Sequence, residues 1–297
     1  MRRFLFVVPG LEFPVPGFGL MFLLACFGGL WLTAWRARRE KLDPKNVEDL
    51  AFWLMSGGFI GARAVYVALH PESIHSFWDL FKVWQGGIVF YGCIIGGLIG
   101  SALYWFRHPF PFRAMADAVA PSLALGLALG RVGCWLNGCC YGALSSLPWA
   151  VSFPMGSPAW ARHVADDLIA PSARCSLAVH PTQLYSVLDG VLLLVLLSLF
   201  YPRRRRDGEV MALLMVAYSL TRFAVECLRG DEGGVLAGLT LSQLISVLIL
   251  GAGLVFWRHL ARLPVGRFAD SVPGACGVTG PRLLESAGRP LVPERPL

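Results

Sequence analysis

Apolar residues along the chain are grouped into seven long runs that are separated by more polar connections. Each run has roughly the 20 residues that an α-helix needs to cross a bilayer. The runs cover residues 17–35, 49–69, 86–106, 115–134, 182–201, 210–228 and 238–257. This pattern predicts an all-α integral membrane protein with seven transmembrane helices.

Composition supports the membrane class, and charge adds an orientation. The 297 residues are 56% hydrophobic and 15% charged, which excludes an ordinary soluble domain. Basic residues concentrate in the connections after the first, third and fifth runs and in the C-terminal segment; they are Arg36, Arg38, Arg39, Lys41, Lys45, Arg107, Arg113, 203–206, Arg258, Arg262 and Arg267. Because cytoplasmic connections are the basic ones, we expect the N-terminus outside and the C-terminus in the cytoplasm. No nucleic-acid partner is expected, since stacking aromatics are not interleaved with the basic residues.

The polar segments divide the chain further. Residues 1–262 form the predicted seven-helix domain, and residues 141–181 are a mixed polar and apolar insertion between the fourth and fifth spans. This insertion is expected to form a small cap on the outer face. Residues 263–297 are rich in Pro, Gly and Arg without apolar periodicity, so we predict a disordered cytoplasmic tail.

Polar residues inside or at the ends of the apolar runs are the best candidates for function. A guanidinium keeps its proton on burial, and a charge at membrane depth costs at least about 2.5–3.5 kcal/mol. With the orientation above, these polar residues share the outer half of the membrane; they are Arg63, Tyr91, Arg131, His180, Gln183, Tyr185, Arg222, Glu226 and Arg229. Tyr218, Arg222 and Glu226 are spaced four apart and share a helix face, so Glu226 is expected to pair with Arg222. The set predicts an anion site, and the alternative for Arg63 and Glu226 is a structural ion pair.

Four cysteines near the predicted outer face allow three interpretations. Cys175 could form a disulfide with Cys134, Cys139 or Cys140 in an oxidising compartment. Metal binding by Cys134, Cys139 and Cys140 lacks a matching second pair of ligands, and a nucleophilic cysteine lacks a histidine adjacent in sequence. We therefore predict neither a metal nor another cofactor.

Five motifs, in this order along residues 18–250, resemble the prolipoprotein diacylglyceryl transferases. They are Gly61-Ala62-Arg63 with Tyr66; Trp84-Gln85-Gly86-Gly87; Gly130-Arg131-Val132-Gly133 with Asn137, Gly138 and Gly142; His180-Pro181-Thr182-Gln183-Leu184-Tyr185; and Tyr218 with Arg222, Phe223, Glu226, Arg229 and Asp231. The resemblance implies a seven-span enzyme of the bacterial inner membrane. Such enzymes move the diacylglyceryl group of phosphatidylglycerol onto the lipobox cysteine beside a prolipoprotein signal peptide, forming a thioether and releasing glycerol phosphate.

The resemblance also implies roles for individual residues. Arg131 and Arg222 are expected to contact the donor phosphate, and Tyr91 is expected to act beside the reacting groups. Further expected substrate-binding residues are Asn137, Gly142, Tyr218, Glu226, Arg63, His180 and Tyr185. The oligomeric state is left open.

The chain departs from the usual family pattern at several positions. Tyr91 stands where the family usually has a histidine, Phe18 where it has a tyrosine, Cys134 where it has an asparagine and Cys139 where it has an acidic residue. A tyrosine with a reference pKa of about 10 is a poor base at neutral pH. Two alternatives therefore stay open: a divergent paralogue that binds an anionic phospholipid but uses another acceptor, and a non-enzymatic lipid-binding membrane protein.

Overall fold

A computed structural model describes residues 4–8, 13–73, 76, 89–230 and 238–272, with the backbone alone at residues 4–8, 13–15, 73, 90 and 91. Two strands, β1 (Phe4–Val8) and β2 (Phe13–Pro16), precede nine helices in this part of the chain. The helices are α1 (Gly17–Arg39), α2 (Pro44–Leu69), α3 (Phe90–Arg107), α4 (Phe112–Asn137), α5 (Pro158–Ala165), α6 (Thr182–Phe200), α7 (Glu209–Glu226), α8 (Leu241–Ala261) and α9 (Phe268–Ser271).

Each of the seven predicted runs overlaps a long helix in the described residues. Five of them are long and apolar enough to cross a membrane: α1, α2, α4, α6 with its continuation to Arg203, and α8. The other two long helices, α3 and α7, have 18 residues each. Large apolar side chains point away from the protein interior; Phe22 is 55% exposed, and Phe27 and Trp31 are 68% exposed. Such faces suit a lipid solvent, so the chain is a helical integral membrane protein.

The strands β1 and β2 pair antiparallel, with Phe4 opposite Pro16 and Val8 opposite Phe13. This hairpin was not part of the all-α prediction. Its first strand reads Phe-Leu-Phe-Val-Val, and aromatic and β-branched residues of this kind favour strands. This five-residue strand is too short for a membrane helix, and the second strand ends directly before α1 begins.

Glycines let α2 and α3 pack backbone to backbone. A Cβ atom built on Gly61 would lie 2.7 Å from the Gly96 Cα atom, and Gly57 and Gly92 meet the facing helix equally closely. Since only glycine tolerates such an approach, these positions fix the contact between the two helices.

The connections at one end of the bundle are held by a buried charged group that we call the Arg204 cluster: Arg204, Glu40, Asp117 and Asp207. The Arg204 side chain is fully buried and pairs with Glu40 Oε2 at 2.6 Å and Asp117 Oδ2 at 3.2 Å. Asp117 on α4 also accepts hydrogen bonds from the backbone N–H groups at the start of α7, which come from Gly208, Val210 and Met211. The cluster therefore joins α1, α4 and α7.

The start of the predicted disordered tail is folded. Gly266 donates its N–H to the Arg205 carbonyl at 3.2 Å, and the Phe268 N–H donates to Asp207 Oδ2 at 2.6 Å. Phe268 also packs against the apolar core formed by the ends of α1, α3 and α4. The prediction of disorder from residue 263 is therefore wrong for residues 263–272, because one apolar side chain and two backbone donors find partners on the bundle. Residues 273–297 lie outside the described residues.

The predicted cap, residues 141–181, is a folded unit on the opposite end. Its small core contains Tyr141, Phe153, Ala159 and Val179, with Trp135 of α4 packed against it. Helix α5 begins at a Ser157 side chain that accepts the Trp160 N–H, a regular N-cap. The cap thus rests on the C-terminal end of α4.

Candidate active site

A cavity lies between α4, α6 and α7. It is lined by Leu127, Arg131, Ser186, Asp189, Tyr218, Arg222 and Val225. Its volume of about 10 Å³ is close to the minimum for one water molecule, so a larger ligand enters only when the lining side chains move apart. Three predicted site residues, Arg131, Tyr218 and Arg222, meet in this cavity.

Arg131 brings an uncompensated charge to the cavity. It lies two turns before the end of α4 and is half-buried. Its side chain makes no hydrogen bond or ion pair with any residue that the structure describes. A guanidinium at this depth without a carboxylate partner suits an anionic ligand.

Arg222 is paired on one side only. Its Nη2 atom lies 2.7 Å from Glu226 Oε2 and donates to Ser242 Oγ at 3.1 Å. Its Nη1 atom is buried and has no hydrogen-bond partner among the described atoms. Because a buried donor without a partner costs free energy, this atom is a ready contact for an oxyanion.

Glu226 is shared between two arginines, which leaves the region positively charged. Its side chain is fully buried, with the Arg229 Nη1 atom 3.5 Å from the same Oε2 atom that pairs with Arg222. Thr240, the N-cap of α8, donates its hydroxyl to Glu226 Oε1 at 3.1 Å. The predicted pairing of Arg222 with Glu226 is confirmed.

Asp189 is a cavity residue that sequence reasoning missed. It lies on α6, and Thr221 Oγ1 donates to its Oδ2 atom at 3.1 Å. An aspartate inside an apolar span is the same signal that marked the arginines, so the sequence could have shown it. Arg131, Arg222 and Arg229 carry three positive charges, and the carboxylates of Asp189 and Glu226 carry two negative charges. This part of the described structure therefore has a net excess of one positive charge.

Several predicted site residues lie outside the cavity. Arg63 on α2 places its guanidinium 5.1 Å from the Tyr66 ring centre. Tyr185 accepts a hydrogen bond from Trp149 Nε1 at 2.7 Å, and its hydroxyl lies 3.4 Å from His180 Nδ1, so these residues tie α6 to the cap. The side chain of Tyr91, the second residue of α3, lies outside the described residues, as do residues 84–87 and Asp231.

Asn137 and Gly142 lie where the cap joins the bundle. Asn137 lines a second cavity of about 320 Å³ under the cap, together with Phe153, Met155 and Ser157. Gly142 donates its N–H to the His180 carbonyl at 2.9 Å and bridges to Arg229. A Cβ atom there would lie 2.5 Å from the His180 Cβ atom, so only glycine fits this junction.

The sequence matches the profile of the prolipoprotein diacylglyceryl transferase family over residues 5–259. This chain belongs to that family. It is 34% identical to a Thermosynechococcus vestitus protein over 239 residues, which cover 80% of this chain and 85% of the relative. It is 33% identical to a Legionella pneumophila protein over 81% of this chain and 90% of the relative, and 35% identical to a Pseudomonas aeruginosa protein over 82% and 88%. All three are named phosphatidylglycerol–prolipoprotein diacylglyceryl transferase, which confirms the resemblance that the motifs indicated.

Two departures from the family pattern come together at the end of α4. The Sγ atoms of Cys134, Cys139 and Cys140 all lie within 4.8 Å of one another. Hydrogen bonds from the Cys134 and Cys140 thiols hold the pKa of Cys139 below its usual range. Cys175 is exposed and all seven described cysteines are free thiols, so the disulfide considered for Cys175 is not formed.

Proposed function

We propose that this protein transfers the diacylglyceryl group of phosphatidylglycerol to the lipobox cysteine of prolipoproteins in the bacterial inner membrane. Membership of the transferase family supports the reaction. The observation that supports the location is the cavity in which Arg131 pairs with no described carboxylate and the buried Nη1 atom of Arg222 has no hydrogen-bond partner among the described atoms.

The chemistry explains why the arginines matter. The acceptor sulfur attacks the glycerol carbon that carries the phosphate, a carbon–sulfur bond forms, and the carbon–oxygen bond to phosphate breaks. The leaving glycerol phosphate gains negative charge during this step. Preorganised guanidinium donors in a site shielded from water stabilise that charge more than they stabilise the starting lipid. In this proposal Arg131 and Arg222 contact the phosphate, and Tyr218 adds a hydroxyl to the same wall.

The remaining predicted residues are assigned to binding and positioning. Glu226 fixes the orientation of Arg222, and Asn137 lines the cavity under the cap where a signal peptide can approach. His180, Tyr185 and Gly142 hold the cap against α6 and α7. Arg63 and Tyr91 remain predicted participants.

We also propose seven spans, with the N-terminus and the cap outside and the C-terminus in the cytoplasm. The basic ends of α1, α3 and α8 support this orientation, as does the basic connection at residues 203–206. Single cysteines placed at Arg38, Arg203 and Trp149 can be labelled with a membrane-impermeant reagent. Trp149→Cys should react from outside and the other two only after permeabilisation, whereas the reverse pattern would overturn the orientation.

Charge-preserving substitutions test the site. Lysine lacks the planar fork of arginine, so Arg131→Lys and Arg222→Lys should each lower transfer from phosphatidylglycerol to a lipobox peptide about 100-fold or more. Arg162→Lys is the matched control, because Arg162 is exposed on the cap and pairs with Asp166 there. Full activity of either cavity variant would remove that arginine from the site.

Replacement of the cell's own transferase tests the function as a whole. The gene for this chain should sustain growth of a bacterium depleted of its native enzyme, while the Arg131→Lys gene should not. Phosphatidylglycerol binding without transfer to any lipobox peptide would instead favour a paralogue with another acceptor.

A further inference from the structure

Three thiols form a compact group at the end of α4. Cys134 belongs to the last turn of the helix, and Gly138 ends it in the left-handed conformation, with φ of 74°. Cys140 also has a positive φ, 58°, which non-glycine residues adopt only when their surroundings hold them there. These two turns fold the chain back, so that all three Sγ atoms lie within 4.8 Å of one another.

The backbone that carries these thiols is fixed by buried residues of α6. Gln183 donates its Nε2 hydrogen to the Cys139 carbonyl at 2.9 Å, and Thr182 donates its hydroxyl to the Cys140 carbonyl at the same distance. Gln183 is 0% exposed and Thr182 is 2% exposed. Partners of this kind hold ligands in position before an ion binds.

The spacing of the thiols suits a zinc ion. Zinc–sulfur bonds of about 2.3 Å in tetrahedral geometry place sulfur atoms about 3.8 Å apart, so the thiols need to close by about 1 Å at most. Three protein ligands with one open position are the pattern of catalytic zinc sites, whereas structural sites have four protein ligands. Thiolates also select soft or borderline ions over magnesium and calcium.

The thiols lie one helical turn from the cavity. Cys134 follows Arg131 by three residues on α4, and Gln183 precedes Ser186 by three residues on α6. Arg131 and Ser186 both line the cavity. Residues three apart on a helix are surface neighbours with Cβ atoms about 5–6 Å apart, so the thiol group adjoins the proposed donor site.

The described residues that line the cavity offer no free base to accept the proton of an acceptor thiol. None of the described residues that line it is a histidine, and its one carboxylate, Asp189, already accepts a hydrogen bond from Thr221. A thiol with a reference pKa of about 8.5 is only about 3% ionised at pH 7. A thiol that coordinates a metal ion is deprotonated outright.

We propose that Cys134, Cys139 and Cys140 bind a zinc ion whose fourth position takes the sulfur of the acceptor cysteine. This role rests on the proposed transferase function. The acceptor thiol loses its proton to solvent as its sulfur binds zinc. The sulfur then forms the bond to the glycerol carbon, the carbon–oxygen bond breaks, and its electron pair leaves with glycerol phosphate. Zinc stays divalent throughout.

Metal binding is tested on the purified full-length protein without any turnover. After chelation, the protein should take up one Zn²⁺ or Co²⁺ per chain, and Co²⁺ should give the absorption of tetrahedral cobalt–thiolate coordination. Cys134→Ser, Cys139→Ser and Cys140→Ser should each lose most of this signal, while Cys175→Ser, which changes an exposed free thiol, should keep it. Wild-type protein that takes up no stoichiometric metal would overturn the proposal, whether or not the variants fold.

The open position is tested with the acceptor. A lipobox peptide should change the cobalt spectrum, and the same peptide with serine in place of cysteine should not. An unchanged spectrum with the cysteine peptide would overturn the acceptor role.

Turnover separates this proposal from the transferase function. With zinc, transfer should vary little between pH 6 and 8; after chelation it should fall about 30-fold at pH 7 and rise about tenfold per pH unit below the thiol pKa. Transfer that is unaffected by chelation would overturn the acceptor role. A cobalt spectrum that responds to the peptide, without any transfer from phosphatidylglycerol, would leave the zinc site standing and overturn the transferase function instead.

Discussion

Two groups of buried charges lie at opposite ends of α4 and differ in how their charges are compensated. In the Arg204 cluster, one fully buried guanidinium meets the carboxylates of Glu40, Asp117 and Asp207. At the cavity, Arg131 has no partner among the described residues. Asp117 and Arg131 are 14 residues apart on one helix, about 21 Å. In the Arg204 cluster the positive charge is balanced by buried carboxylates, and the cluster holds helices together. Guanidinium donors without a described partner beside a cavity instead suit an anionic ligand.

The largest expected effect is a loss of stability when the Arg204 cluster is disrupted. Arg204→Gln leaves the carboxylates of Glu40 and Asp117 buried without their cation, so it should cost about 3–5 kcal/mol of unfolding free energy. Thermal unfolding in detergent should show an apparent midpoint lower by about 10 °C. Arg203→Gln, at an exposed neighbour, should change the midpoint little. Equal midpoints for the two variants would contradict a structural role for the cluster.

Arg131 at the cavity should behave in the opposite way: its substitution should lower activity and leave stability nearly unchanged. Arg131→Gln removes a charge that has no described partner, so the unfolding midpoint should stay within about 2 °C of wild type. Transfer activity should fall about 100- to 1,000-fold, because an interaction made to the leaving phosphate is lost. Both quantities are measured on the same preparation. A large loss of stability would place Arg131 with the structural charges.

A substitution at Gly142 tests whether the junction between the cap and the bundle positions the charged residues near the cavity. Gly142→Ala puts a methyl group against His180 and the Leu228 carbonyl, which should cost about 1–3 kcal/mol and shift the neighbouring Arg229. Transfer should fall with it. Gly126→Ala is the control, since a Cβ atom there meets nothing within 4 Å. Equal activity of the two variants would show that the junction does not position the site.

Asp189 reduces the positive charge of the cavity. Asp189→Asn should therefore strengthen binding of the anionic donor, lowering KM for phosphatidylglycerol about fivefold, which corresponds to roughly 1 kcal/mol. The kcat should change less than KM, because zinc and not Asp189 is proposed to ionise the acceptor. Steady-state kinetics at several lipid fractions would measure both. A collapse of kcat with unchanged KM would instead make Asp189 the base.

The smallest expected effect is a pH dependence of the cap. Burial lowers the pKa of His163, whose Nδ1 atom accepts the Leu177 N–H at 3.2 Å. The pKa of His163 is about 6.5 in the unfolded chain and lower in the folded protein, so neutral His163 contributes fully to the stability of the cap above about pH 6.5. This stabilisation is lost as the pH falls below 6.5 and through the folded pKa. The ratio of the hydrogen-exchange rate at Leu177 in wild type to that in His163→Gln should rise as the pH falls from 7.5 to 5.5. If the ratio of the two exchange rates stays constant over this pH range, protonation of His163 is not coupled to opening of the cap.

The sequence by itself determined the class of the protein, the positions of its long helices and its family. Apolar length and helical spacing are local properties, so the runs, the Arg222–Glu226 pair and the folded cap could be found without tertiary information. The N-terminal hairpin and the docked residues 263–272 were missed, because a short strand and a single apolar anchor leave weak local patterns.

Only the tertiary structure decided which polar residues meet. Arg131, Asp189 and Arg222 come from three different helices. The sequence placed the two arginines at a similar depth but did not show that they line one cavity together with Asp189 of α6. In the sequence, Arg204 is one of four consecutive arginines in the connection at residues 203–206. In the structure its side chain is buried at the centre of the Arg204 cluster. Spacing along a chain fixes which side chains share a helix face, whereas contacts between helices depend on their packing and on how far each has turned about its axis.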